Sequence, residues 1–144
     1  MNKVNSTKFG EFNTFPESGW HKFTSENITI FFHTETISLK DFPSHRHSDL
    51  TSFVFYFKSL PILIDTGRFN YIFNDPLGSY GFTAKAHNSI LIDDLDPQAG
   101  INNRKFPDFY RCSIVKTKFR LSNDYFQFSI EHNGYLRLFK EKVR

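Results

Sequence analysis

The 144-residue sequence holds one cysteine, one methionine and one tryptophan. Its single cysteine, Cys112, cannot close a disulfide within the chain and cannot build a cysteine-based zinc site. No signature of a thiol nucleophile surrounds it, so it reads as a small core residue. Long apolar runs are missing too. No stretch approaches the roughly 18 apolar residues of a membrane span. The opening "MNKVNSTKFGEF" has no apolar core of a signal peptide. Either the protein is cytosolic or the sequence is a piece of a longer one. Charge bias is small, with a net charge of +3. It would favour an anionic partner, a nucleic acid or an acidic polysaccharide, though an ordinary soluble surface is its usual meaning. No Lys/Arg block stands out, and the terminal "KEKVR" mixes signs and reads as a solvated end rather than a nucleic-acid tail. No internal repeat is present.

Phenylalanine is what the chain has in abundance: 19 of them, within an aromatic content of 18%. Phenylalanine and the β-branched residues suit strands. Hydrophobic periodicity predicts strands over 27–34, 50–58, 62–67, 87–94, 110–121, 124–132 and 134–140. Residues 1–14 read as a polar, frayed lead-in, and 15–23 as a turn running into a strand. Asn133-Gly134 is a hairpin signal, because both residues tolerate positive φ. No segment keeps helical spacing over ten or more residues. The expected class is all-β: an antiparallel sandwich, or a jelly-roll-like domain, with little or no helix.

Polar groups collect at the expected strand ends. His45 and His47 precede the strand "LTSFVFYFK" and share a face if extended. Asp65 ends the next strand and His87 opens the one after a long loop at 68–86. A short turn between 50–58 and 62–67 would bring Asp65 near His47, and His87 could join them. Two imidazoles and a carboxylate can make a three-ligand zinc site with one open position. Polar decoration beside a buried strand is the plainer explanation. The H-x-H pair also allows a cupin, but the Glu that cupins place shortly after the second His is missing from Asp49, Leu50, Thr51 and Ser52.

In combination, "HRHSDLTSFVFYFKSLPILIDTGRFNY", "GSYGFTAKAHNSILIDD" and "EHNGYLRL" resemble the C-terminal β-domain of heparinase II/III-like polysaccharide lyases over about residues 15–144. That family's pattern runs H-G-H-x-D, an alternating strand, D-P-G, a Tyr-containing loop, A-H-N-[ST] and H-x-G-Y. Arg46 stands in place of the Gly, Thr66 of the Pro, and Ser89 of the common Thr.

The resemblance implies β-elimination on a uronic-acid-containing polysaccharide. The site must neutralise the uronate carboxylate, stabilise the enolate-like anion and move a proton. By correspondence His45 faces substrate and Tyr80 shuttles protons, with Tyr71 its nearest rival. Arg46, Arg68 and Tyr71 would contact substrate. His47, Asp65 and His87 match the family's structural zinc positions. Asn88 would order its loop, and His132 and Tyr135 would be structural. The family also places a helical toroid domain before this β-domain. The chain therefore reads as a fragment with little or no lyase activity by itself, whose parent could be periplasmic or secreted. Two other readings stand beside it. One is a non-catalytic module that holds acidic glycans through Arg46, Arg68, Lys85 and Arg104. The other is a cupin-like domain binding iron or manganese.

Overall fold

The computed structural model describes residues 3–34, 47–72, 75–97 and 114–136. His45, Arg46, Arg104 and Cys112 lie outside them, as does most of the expected strand 134–140. Among the described residues eight strands form two antiparallel sheets. The first sheet contains β1 (Lys3–Ser6), β2 (Glu11–Phe15), β3 (Trp20–Thr24), β4 (Ile28–His33), β5 (Phe53–Phe57) and β6 (Leu60–Leu63), each beside its neighbour in sequence. The second is the hairpin of β7 (Ile114–Leu121) and β8 (Phe126–His132).

Alternation decides which side chains meet between the sheets. Cross-strand register aligns Phe12 with Phe23, Phe23 with Ile30, and Ile30 with Phe55. It also aligns His21 with Phe32, and Phe32 with Phe53. The hairpin answers with Phe119, Phe126 and Phe128. Phe12 is only 1% exposed, with its ring 4.5, 5.1 and 5.6 Å from those three rings. Phe23 stacks on Phe126 at 4.2 Å, and Phe32 lies 4.8 Å from Phe128. These separations suit tilted and offset aromatic pairs. The all-β sandwich expected from the phenylalanine pattern is what the chain forms.

The strand boundaries differ from expectation at both ends. The lead-in expected over 1–14 supplies β1 and nearly all of β2. Of the two phenylalanines of β2, Phe12 and Phe15, the inward Phe12 anchors the strand against the hairpin. The segment 87–94 is a turn-rich connection. Asp93 and Asp94 take φ of 52° and 60° and close a tight turn bridged by Ile92 and Leu95. A similar two-residue turn joins β5 to β6 through Lys58 and Ser59, at φ 48° and 64°. The short helix α1 (Pro76–Tyr80) was not expected, since five residues carry no readable period. Its start is nonetheless written locally. The Asp75 side chain caps the Gly78 N–H at 2.8 Å and Pro76 occupies the first turn. At Asn133-Gly134, the Gly134 N–H donates to His132 Nδ1 at 3.1 Å and the Leu136 N–H to the Asn133 carbonyl at 3.0 Å.

Candidate functional site

Three segments without long regular structure converge beyond β5 and β6: 47–52, 64–72 and 75–97. Side chains and backbone pin them to each other. The Asn88 amide donates to the carbonyls of Phe53 at 2.9 Å and Ile64 at 3.0 Å, tying its segment to both strands. The Ser89 hydroxyl donates to the Leu50 carbonyl, and the Ser48 N–H to the Phe82 carbonyl. The Thr66 hydroxyl, where the family pattern has Pro, donates to the Ala86 carbonyl at 2.8 Å. Tyr135 is fully buried and its hydroxyl meets the Ile90 and Leu95 carbonyls at 2.7 and 3.0 Å. Its role is to fix this loop, in keeping with the structural reading of H-x-G-Y.

His47, Asp65 and His87 come together as expected, but the carboxylate is arranged as an outer support. Asp65 Oδ2 lies 2.7 Å from His87 Nδ1, and Asp65 Oδ1 accepts the Gly67 N–H at 2.8 Å. Gly67 has φ +60°, which the D-T-G turn needs to aim that N–H. A 3-10 turn at Ala84–Ala86, both residues buried, presents His87. The His87 side chain is 1% exposed, and its Nε2 has no hydrogen-bond partner among the described residues. His47 lies over it, ring centroids 5.3 Å apart and planes 25° apart.

Charge around the pair is graded. Burial pushes His47 below its ordinary 6.5, helped by His87 and Arg68 and opposed by Asp49 and Asp65. Burial pushes Asp65 upward, but the hydrogen bonds from His87 and the Gly67 N–H, with the nearby imidazoles, hold it below 3.8. Arg68 supplies the fixed cation. Its guanidinium lies 4.0 Å from the Tyr71 ring centre and 3.7 Å from that of Phe82, and its Nε donates to the Asn70 carbonyl. Phe82 in turn meets His47 edge-on at 5.6 Å. Such a sandwich orients a planar cation.

Tyr80 ends α1 and donates its hydroxyl to the Lys85 carbonyl at 2.7 Å. No hydrogen bond or ring contact among the described residues joins it to His47 or His87. Lys85 pairs with Asp94 at the exposed surface, 3.1 Å apart. A second imidazole–carboxylate pair has no counterpart among the expected site residues. His33 ends β4, sits 3.3 Å from Asp49 Oδ2 and faces Trp20 at 4.7 Å. The D of H-x-H-x-D was the signal for Asp49. Nothing in the strand pattern marked His33.

The zinc expectation can be tested against these donors. The buried, unbonded Nε2 of His87, backed by a carboxylate on Nδ1, fits one ligand of a metal. The three cluster without sharing an ion position: Asp65 faces His87 Nδ1, and among the described residues no group of three or more His, Cys, Asp or Glu is placed to hold an ion.

The family described as Heparinase II/III-like, C-terminal matches residues 8–144. The chain belongs to that family. No curated protein and no solved structure matches it. In this heparinase II/III-like domain no helix among the described residues is long and apolar enough to cross a membrane.

Proposed function

We propose that this heparinase II/III-like domain forms one wall of a cleft for a uronic-acid-bearing polysaccharide, of glycosaminoglycan type, that is cleaved by β-elimination. The observation that carries this reading is the Asp65–His87–His47 cluster beside an arginine clamped between two rings. In β-elimination a base takes the proton at C5, its electrons form the C4–C5 double bond, and the C4–oxygen bond breaks. The leaving oxygen takes up a proton. The C5 proton yields only when the adjacent carboxylate is neutralised. Arg68 is placed to do that, and a neutral His47 to hydrogen-bond the same carboxylate. His45 as the substrate-facing group and Tyr80 as the proton shuttle remain part of the proposal, with Arg46 and Tyr71 as substrate contacts. A helical toroid domain would complete the cleft.

Zinc belongs to the proposal in a changed form. His87, through Nε2, and His47 are the imidazoles that would hold it, with Asp65 as the carboxylate behind His87. A zinc ion there would fix the three loops together. Orientation of His87 by Asp65 does not depend on it.

The acidic-glycan-binding reading without cleavage has one observation in its favour. The Tyr80 phenol is tied to the Lys85 carbonyl, and among the described residues no hydrogen bond or ring contact joins it to His47 or His87. One titration tests both. The chain is mixed with polygalacturonate or heparin oligosaccharides, with dextran as the neutral control. Imidazole proton NMR signals and ultraviolet absorbance of unsaturated uronate are followed together. Acidic oligosaccharides should move the His47 and His87 signals, dextran should not, and Arg68→Gln should abolish the shift. Absorbance growth, with this chain or after adding a helical toroid domain, separates lyase from binding module. Unmoved histidine signals with every acidic glycan would refute both.

A further inference from the structure

We propose that the outward face of the β7–β8 hairpin is a second binding strip for an acidic polysaccharide, separate from the histidine cluster. Phe119 and Phe128 point inward onto Phe12, so their neighbours point outward. On β7 these are Lys116, Lys118 and Arg120, all exposed. Cross-strand register sets Glu131 opposite Lys116, Ser129 opposite Lys118, and Gln127 opposite Arg120. The two rows line a shallow groove of about 580 Å³. Three cations face one carboxylate, one hydroxyl and one amide.

This composition selects its ligand. The cations repeat every second residue, so the row spans roughly 13 Å along the strand. That suits an extended chain carrying a charge at intervals, not a single small anion. Ser129 and Gln127 can hydrogen-bond sugar hydroxyls between the charges. A single-stranded nucleic acid would need rings on which bases stack. The outward strand positions 116, 118, 120, 127, 129 and 131 carry none, and Phe128, which also lines the groove, packs its ring on Phe12 and Phe32. Val115 is the extra residue of a bulge between Ile114 and Lys116; it falls before Lys116, so the alternation that puts Lys116, Lys118 and Arg120 in one row is unbroken. The strip shares its ligand class with the cleft reading but depends on none of the cleft's chemistry.

The test uses the full chain and its double variant Lys118→Gln/Arg120→Gln, with Lys22→Gln/Lys58→Gln, on β3 and in the β5–β6 turn of the other sheet, as an equal-charge control. Binding to polygalacturonate, to dextran and to a single-stranded oligonucleotide is measured across a salt series. Urea midpoints verify that each variant is folded. The strip variant should bind polygalacturonate about tenfold more weakly and with a shallower salt dependence. The control should bind as the parent does, and dextran should not bind. The His47 and His87 NMR shifts should persist at saturating ligand in the strip variant, which keeps this result distinct from failure of the cleft reading. The proposal is overturned by unchanged affinity in the strip variant, by an equal loss in the control, by absence of polygalacturonate binding, or by tighter binding of the oligonucleotide.

Discussion

The sandwich between the two sheets and the loop cluster around His87 are held by different physics. Between the sheets, rings of Phe12, Phe23, Phe32, Phe126 and Phe128 fill the space, and almost any apolar residue of similar shape would do part of that work. Around His87, order comes from single polar atoms: one amide on two carbonyls, one carboxylate on a ring nitrogen and a backbone N–H, one tyrosine hydroxyl on two carbonyls. Burial is non-directional and tolerant. Hydrogen bonding in a loop is directional and fails one group at a time. Rigidity in the second region is therefore local, which suits side chains that must be held at a fixed angle.

The largest effect should come from the first region. Phe12→Ala removes the ring that three hairpin phenylalanines share, and a buried Phe→Ala change costs about 3–5 kcal/mol. Urea unfolding should show one cooperative loss affecting both regions, because the loops hang on strands of the same sheet. A cost below about 1 kcal/mol would mean that the hairpin does not depend on this contact.

A smaller and more confined effect should follow Gly78→Ala in the second region. A Cβ there would meet the Asn70 side-chain oxygen and, at 2.5 Å, the Ile72 carbonyl. Asn70 is held by its amide on Asp75 and by the Ile72 N–H on its oxygen, so it cannot swing away without breaking both bonds. Overpacking of this kind costs about 1–3 kcal/mol. Hydrogen exchange should speed up in 67–82 while β2–β4 keep their protection, and Arg68-dependent binding should weaken. Equal loss of protection in the strands would show that the two regions unfold as one unit.

How much of each region could be read in the sequence follows from the same contrast. "FVFYF" and "FQFSI" carry their alternation openly, so the sandwich was legible. Of the site, the convergence of His47, Asp65 and His87 was legible because each stands beside a strand or turn signal. The Asp65–His87 orientation was not, because it depends on a positive φ at Gly67 and a 3-10 turn at 84–86. Neither has a period. Asp93-Asp94 shows the opposite error: its two positive φ angles turn the chain at the end of "HNSILIDD", whose composition alone reads as strand. β2 was missed because its two phenylalanines, Phe12 and Phe15, stand three apart and break the two-residue period, although Phe12 proves the most buried ring in the sandwich.

Acid should weaken both regions, and the sign follows from burial. His21 lies within the sandwich, its Nε2 2.7 Å from the Thr34 hydroxyl and its ring stacked beside Phe12. Burial lowers it from 6.5, with a smaller contribution from His33. Burial likewise lowers His132 and leads the lowering of His47. The unfolded chain therefore takes up protons near pH 6.5 that the folded chain refuses. Their contribution to stability is complete above about pH 6.5 and is lost as pH falls from there through the lowered folded values. Asp65, also lowered, adds a second loss that begins only near its ordinary 3.8. Urea midpoints between pH 8 and pH 5 should stay level at first and then fall, with the fall reduced in His21→Gln. Because His21 belongs to the sandwich and His47 to the loops, the order in which hydrogen-exchange protection is lost would show which region yields first. A midpoint that is flat down to pH 5 would mean that these imidazoles are protonated in the folded chain, against the burial argued for all three.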